Sequence, residues 1–153
     1  MGNTTDKITI YCDGACSGNQ YENNIGGWGA VLIFKSKEKE IFGGEKNTTN
    51  QRMELTACIK ALEQLKSDQY PIEIYSDSAY LVNCINQAWY KKWEKNGWKN
   101  SKKDPVENRD LWETLLELLS KYNTKFIKVE GHSGVVLNER VDKLARLGMQ
   151  LVK

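Results

Sequence analysis

The chain contains only two prolines, one histidine and no long hydrophobic run among its 153 residues. With no low-complexity stretch and no internal repeat, a single domain over residues 1–153 is expected, with residues 1–6 as a disordered tail. No apolar run approaches the roughly 20 residues that a membrane helix needs. The polar start, Met1 to Lys7, lacks the apolar region of a secretory signal. These absences predict a cytoplasmic protein without a membrane segment, and we expect a monomer.

The cysteines, at positions 12, 16, 58 and 84, form no Cys-x-x-Cys pair. They could pair as disulfides in an oxidising compartment. Three of them lie within apolar patterns, however, which favours buried free thiols. The only histidine, His132, is far in sequence from any cysteine pair, so a zinc site is not expected.

Positive charge is concentrated in one segment, from Trp89 to Lys103. The segment contains Glu94 and six lysines, at positions 91, 92, 95, 99, 102 and 103, and so carries +5. Because the whole chain carries +2, the remainder carries −3. Lysines often solvate a helix face, and aromatics four apart often only pack. So much local charge interleaved with tryptophan nevertheless favours contact with phosphates.

Hydrophobic periodicity predicts an α/β fold. Predicted strands cover 7–13, 28–34, 39–44, 72–76 and 126–129, and predicted helices cover 51–66, 78–86, 108–121 and 138–149. Residues 14–27 are expected to form a loop, and Thr48, Thr49 and Asn50 offer caps for the first helix. We therefore predict a five-stranded mixed sheet. Strands one to three should be antiparallel, strands four and five parallel to strand one, and helices should cover both faces.

Two acids end predicted strands. Asp13 ends the first strand, and Asp77 follows the strand at 72–76. If a helix joins these strands as a crossover, the strands are parallel. Both carboxylates then emerge near the same end of the sheet, where α/β folds place ligands.

Two more acids lie on the apolar faces of predicted helices. Glu54 is followed by apolar residues at i+3, i+4, i+7, i+8 and i+11, which is the buried stripe of a helix. Asp142 is next to Val141 and precedes Ala145 and Met149 on the same face. Buried carboxylates are costly unless they are paired or bind a metal, and oxygen-rich sites suit Mg²⁺ or Mn²⁺.

Each acid also has an ordinary interpretation. It could cap a helix, stand solvated at a strand end, or pair with an arginine such as Arg52 or Arg140. Periodicity cannot show that the four side chains meet, so a metal site is the hypothesis that the structure has to test.

Six short segments resemble, in order, those of the bacterial type I ribonucleases H, over roughly Ile8 to Gly148. They are Tyr11-Cys12-Asp13-Gly14, Thr48-Thr49-Asn50-Gln51-Arg52-Met53-Glu54-Leu55, Ser76-Asp77-Ser78, Asn108-Arg109-Asp110-Leu111-Trp112, Gly131-His132-Ser133-Gly134 and Asn138-Glu139-Arg140-Val141-Asp142. The resemblance implies an endonuclease that cuts the RNA strand of an RNA–DNA hybrid and leaves 5′-phosphate and 3′-hydroxyl ends. It also implies a ribonuclease H catalytic domain without a separate hybrid-binding domain.

The same resemblance implies that Asp13, Glu54, Asp77 and Asp142 are the catalytic metal ligands. Two Mg²⁺ ions are expected with substrate, with Mn²⁺ able to substitute. One ion would activate the attacking water and the other would stabilise the leaving 3′ oxygen. Asp13 would bridge the ions, and Glu54 would approach the ribose 2′-hydroxyl.

By resemblance, His132 assists proton transfer or product release. A lone histidine is more often a surface or satisfied core residue, but flanking glycines suit a mobile catalytic loop. Nucleic-acid contacts are implied for the minor groove at Asn19, Asn50 and Gln51, for a DNA phosphate at Thr49 and Asn108, and for the basic segment at Trp89, Lys91, Lys92, Trp93, Lys95, Trp98 and Lys99. Thr49 and Asn50 could also be helix caps, and the two roles can coexist.

Two positions depart from many relatives. Ala79 stands where they have glutamine, which puts one nucleic-acid contact in doubt. Val135-Val136-Leu137 replaces a polar, proline-containing loop and is expected to be stiffer or packed. A DNA-directed nuclease of the same fold would share the four acids, and a silent hybrid-binding module would be expected to have lost one of them.

Overall fold

A five-stranded mixed sheet forms the centre of the fold. The computed structural model describes residues 6–17, 24–130 and 135–153. Its strands are β1 (Ile8–Ser17), β2 (Ile25–Phe34), β3 (Lys37–Lys46), β4 (Ile72–Ser76) and β5 (Thr124–Lys128). In the order β3-β2-β1-β4-β5, the first three strands of the chain pair antiparallel, and β4 is parallel to both β1 and β5. The predicted sheet is confirmed.

Helices cover both faces of this sheet. They are α1 (Asn50–Glu63), α2 (Ala79–Asn86), α3 (Trp89–Lys95), α4 (Arg109–Leu119) and α5 (Val136–Leu151). Along β1, Ile10 and Cys12 belong to the large core shared with α1, while Tyr11 packs in a smaller core with Val31 and Val141. Because side chains alternate along a strand, α1 and α5 lie on opposite faces.

The predicted loop over 14–27 is wrong at both ends. β1 continues to Ser17 and β2 begins at Ile25, and the register pairs Ser17 with Ile25 and Gly14 with Trp28. Main-chain hydrogen bonds hold this part of the β1–β2 pair together. Because its glycine-rich sequence lacks the alternating apolar side chains that indicate a strand, the sequence did not predict it.

The last helix also begins earlier than predicted, at Val136, which is 75% exposed. The apolar segment at 135–137 therefore leads directly into α5 and is not a packed loop. All four cysteines are free thiols, as predicted, with Cys16 the least buried of them.

Glycines allow α5 to lie directly on the sheet. A Cβ atom at Gly27 would stand 1.9 Å from the carbonyl oxygen of Ala145, and one at Gly148 would stand 1.9 Å from that of Gly43. These approaches are shorter than any side chain tolerates, so the glycines set the depth of α5 and the position of every residue it carries.

Residues 1–5 of the expected tail lie outside the described residues. Asp6 is described, and its carboxylate lies 3.5 Å from Nζ of Lys35. Within residues 6–17, 24–130 and 135–153, no helix is long and apolar enough to cross a membrane.

Ala88, between α2 and α3, has a left-handed backbone with φ of 56°. A left-handed L-residue costs about 1–2 kcal/mol, a cost that glycine does not carry. We expect Ala88→Gly to raise the free energy of unfolding by roughly 0.5–1 kcal/mol in urea titrations. Ala79→Gly, at the start of α2, is the matched control and should lower it. A loss of stability in Ala88→Gly would contradict this interpretation.

Candidate active site

Three carboxylates meet at one end of the sheet. One oxygen each from Asp13, Glu54 and Asp77 can be chosen so that all lie within 4.8 Å of one another. Asp13 is on β1, Asp77 follows β4, and these strands are parallel, so both acids emerge at the same end as predicted. Gly14 brings Glu54 to them, because a Cβ atom there would stand 2.4 Å from the backbone nitrogen of Glu54.

Asp142 forms part of the wall of the same cleft, which has a volume of about 280 Å³. It is only half-buried, and its carboxylate accepts a hydrogen bond from the guanidinium of Arg146 one turn later on α5. The structure thus brings three of the predicted acids into one cluster and places the fourth at the cleft wall, paired with an arginine.

Burial and mutual repulsion dominate the electrostatics of the cluster. Asp13 is 6% exposed and Glu54 is 8% exposed. Loss of solvent, then the charges of Asp77 and Asp142, raises the pKa of Asp13 to about 8. Loss of solvent raises the pKa of Glu54 to about 7, although a hydrogen bond from Ser78 lowers it. A positive charge placed among these carboxylates would relieve the repulsion.

The donor set fits a hard divalent cation. The three clustered ligands are carboxylates, which Mg²⁺ and Mn²⁺ prefer, and the cleft contributes a further oxygen. Asn138, four residues before Asp142 on α5, is 4% exposed, and its Oδ1 has no hydrogen-bond donor within the described residues. A buried amide oxygen is costly without a donor, which a metal-bound water would supply. Asn138 begins the segment that ends at Asp142, but no pattern in the sequence indicates that its side-chain oxygen is buried and unpaired.

Four of the predicted minor-groove and phosphate residues, Thr49, Asn50, Gln51 and Asn108, lie at the starts of α1 and α4. Thr49 caps α1, since its Oγ1 accepts from the backbone nitrogen of Arg52 at 3.1 Å. The side chains of Thr49, Asn50 and Gln51 are exposed, so the cap leaves them facing solvent. Asn108 precedes α4 and is half-buried.

Asn24 anchors the chain just before this group. Its Nδ2 donates to the carbonyl of Thr48 at 2.8 Å, and its Oδ1 accepts from the nitrogen of Thr48 at 2.9 Å. This two-bond clamp fixes the entry to α1, and the sequence analysis missed it because an asparagine beside a glycine-rich stretch resembles an ordinary turn residue.

The basic segment divides into an exposed and a packed set. The four predicted contact lysines, at positions 91, 92, 95 and 99, are exposed, and Trp89 is 38% exposed. Trp98 is only 8% exposed, and Trp93 packs between it and Trp112 at ring distances of 6.2 and 5.7 Å. The aromatic packing therefore holds the segment on α4, while the lysines face outward. His132 and Asn19, two further predicted site residues, lie outside the described residues.

The fold and the cluster define an α/β protein with three carboxylates at one end of its sheet, an arrangement compatible with binding a divalent cation. The RNase H family model matches residues 5–150. A protein named Ribonuclease H from Syntrophomonas wolfei is 54% identical over 140 residues, covering 92% of this chain and 94% of its own length. One of the same name from Moorella thermoacetica is 52% identical over 147 residues, covering 96% and 94%. The chain belongs to the RNase H family.

Solved structures agree with this assignment. LC9-RNase H1, described as a type 1 RNase H with the type 2 active-site motif, superposes with a TM-score of 0.86 at 25% identity, over 100% of this chain and 76% of its own. LC11-RNase H1, solved in complex with an RNA/DNA hybrid, gives a TM-score of 0.70 at 21% identity, over 95% and 99%, and supports the fold.

Proposed function

We propose that this protein is an endonuclease that hydrolyses the RNA strand of RNA–DNA hybrids in the cytoplasm, as a monomeric catalytic domain. The observation that carries the proposal is the convergence of Asp13, Glu54 and Asp77 in an open cleft of a ribonuclease H fold. Such a cluster is costly to maintain unless it binds cations, and its relatives are named for this activity.

Each acid has a distinct part in the proposed site. Asp13, whose pKa is raised by the charges of both Asp77 and Asp142, would hold the cations together with these two acids and Glu54. Glu54 is the second most buried of the acids and is the ligand proposed to face the ribose 2′-hydroxyl. Two bound Mg²⁺ ions, or Mn²⁺ in their place, would supply Lewis-acid chemistry for in-line attack of water on the phosphate. His132 is proposed to assist proton transfer or product release.

Binding is proposed to use two surfaces. Asn19, Asn50 and Gln51 contact the minor groove, where shape and the 2′-hydroxyl distinguish a hybrid from other duplexes. Thr49 and Asn108 contact a phosphate of the DNA strand. The exposed lysines of the Trp89–Lys103 segment, together with Trp89, bind phosphates and supply affinity without choosing sequence. Because Trp93 and Trp98 are packed against α4, their proposed contribution is to hold these lysines in place.

The ends of the cut RNA test the hydrolytic chemistry. After incubation with hybrid and Mg²⁺, the RNA fragments should carry 5′-phosphates that a ligase accepts and 3′-hydroxyls that a polymerase extends. Chelator should stop the reaction, and Mn²⁺ should restore it. Fragments that end in 2′,3′-cyclic phosphate would show that the 2′-hydroxyl itself attacks, which would overturn the proposed mechanism.

A further inference from the structure

Asp142 differs from the other three acids in having a cationic partner. Nη2 of Arg146, one turn later on α5, donates to Oδ2 of Asp142. Among the described residues, Arg146 is the only cation that pairs with any of the four acids. The other arginine ion pairs are Arg52 with Asp110, Arg109 with Glu113, and Arg140 with Glu38 and Glu40. The protein itself therefore supplies one positive charge to the acidic cleft, on the side formed by α5.

This ion pair lies beside the three clustered carboxylates. The oxygens of Asp13, Glu54 and Asp77 can lie within 4.8 Å of one another, and Asp142 is not part of that group. Asp142 nevertheless lines the same cleft, and its charge raises the pKa of Asp13, after burial and the charge of Asp77. Asp142 thus acts electrostatically on the cluster, while its own charge is partly offset by Arg146.

The exposure of the pair shows that it is weak and yet always charged. The side chain of Arg146 is 63% exposed and that of Asp142 is 28% exposed. An exposed ion pair one helical turn apart adds little to stability, so a divalent cation can compete for the carboxylate. A guanidinium does not lose its proton in proteins. Any cation that Asp142 binds therefore meets a second positive charge on the same carboxylate.

The two sides of the proposed metal site are consequently unequal. A cation held by Asp13, Glu54 and Asp77 meets three carboxylates that have no basic partner among the described residues. A cation held by Asp13 and Asp142 meets two carboxylates, and one of them already carries the guanidinium of Arg146. Repulsion between the guanidinium and this cation is stronger in a partly buried cleft than in bulk water.

We propose that Arg146 weakens cation binding on the Asp142 side, so that the site holds its second cation firmly only when the phosphate of a bound hybrid adds its negative charge. The role of Arg146 rests on the proposed function, which supplies both the hybrid and the two cations. Arg146 acts through Asp142 and is therefore a positioning residue. It couples the loading of the second cation to the binding of substrate.

Arg146→Gln is the direct test, because glutamine can still donate a hydrogen bond to Asp142 but carries no charge. Mn²⁺ binding is measured without nucleic acid, from the electron paramagnetic resonance signal of the unbound ion. Wild type should bind one ion tightly and a second one weakly. The second ion should bind on the order of 5-fold more tightly to Arg146→Gln. Arg146→Lys keeps the charge and should stay within about twofold of wild type.

Lys143→Gln is the matched control. Lys143 is exposed and follows Asp142 directly in the chain. Successive residues of a helix point about 100° apart, whereas residues four apart point about 40° apart, so this variant removes the same charge from a different side of α5. It should change the affinity for the second ion by less than about twofold. Equal gains in Lys143→Gln and Arg146→Gln would show that the net charge of α5 sets the affinity, which would overturn the proposal.

Cutting assays separate this role from a direct contact between Arg146 and the hybrid. In Arg146→Gln, the Mg²⁺ concentration that gives half the maximal rate should fall by a factor similar to the gain in Mn²⁺ affinity, and KM for the hybrid should stay within about twofold. A raised KM together with unchanged Mn²⁺ binding would show that Arg146 contacts the hybrid, and would overturn the proposal.

Asp13→Asn distinguishes failure of this inference from failure of the metal site itself. It should lose the tight Mn²⁺ ion that wild type binds. Wild type that binds Mn²⁺ and cuts the hybrid, while Arg146→Gln binds the second ion no more tightly, would overturn this inference alone. Wild type that binds no Mn²⁺, or binding that is unchanged in Asp13→Asn, would overturn the proposed function as well.

Discussion

Asp13→Asn is expected to abolish cutting and at the same time to stabilise the metal-free protein. The variant removes the most buried charge of the cluster and keeps the shape of the side chain. Activity should fall by about 10³-fold or more, since metal-ligand carboxylates act together in such chemistry. The free energy of unfolding at pH 8 should rise by roughly 2–4 kcal/mol, because a group with a strongly raised pKa is costly to ionise.

The pH dependence of this gain follows from the two raised pKa values. Asp13 and Glu54, with pKa values of about 8 and about 7, hold protons in the folded state that the unfolded chain has released. Their contribution to stability is fully present below about pH 4 and is lost as the pH rises toward 8. The stability difference between Asp13→Asn and wild type should therefore be near zero at pH 4 and grow up to pH 8.

Urea titrations at several pH values, with chelator present, measure this difference. Asp68→Asn, which neutralises an exposed aspartate, is the control and should show no such growth. An Asp13→Asn protein that is less stable than wild type at pH 8 would contradict the electrostatic account. Retained cutting with Mg²⁺ would contradict the assigned role of Asp13.

Replacing the four exposed lysines at positions 91, 92, 95 and 99 by glutamine is expected to cause the largest loss of hybrid affinity. Removing several phosphate contacts should lower affinity on the order of 100-fold near 0.1 M salt and make the salt dependence shallower by up to about 3 in log–log slope. The rate at saturating hybrid should fall far less, because the acids are untouched. Binding titrations at several salt concentrations measure both quantities.

The control removes the same number of charges from the opposite end of the sheet. Lys37, Lys66, Lys121 and Lys125 are exposed and lie near the beginnings of β3, β4 and β5, away from the carboxylates. Their replacement should change the slope by less than about 1. Equal losses in the two quadruple variants would show that net charge, and not the Trp89–Lys103 segment, governs binding.

The sequence predicted those parts of the site that follow from periodicity. Asp13 ends the apolar alternation of β1, Asp77 follows β4, and Glu54 interrupts a helical stripe, so their convergence could be expected once the crossover was assumed. The continuation of β1 over residues 14–17 could not be predicted, since main-chain pairing with β2 leaves no side-chain pattern in the sequence.

The remaining parts depend on contacts between distant elements. Nothing near Arg52 in the sequence indicates that Asp110 holds it, because the two residues meet only when α1 packs on α4. Similarly, tryptophans among lysines suit either a binding surface or a packed one, and only the contacts of Trp93 with Trp98 and Trp112 decide between the two. The order of the strands and helices could be predicted from the sequence, but the surroundings of these side chains could not.

The most direct test of the central claim is cutting of a hybrid labelled on each strand in turn, beside matched RNA–RNA and DNA–DNA duplexes. With Mg²⁺, wild type should cut only the RNA strand of the hybrid, and Asp13→Asn should cut nothing. Cutting of the DNA duplex would place the protein among DNA-directed nucleases of the same fold. Binding of the hybrid by wild type without any cutting would contradict the claim that the three clustered carboxylates form a catalytic centre.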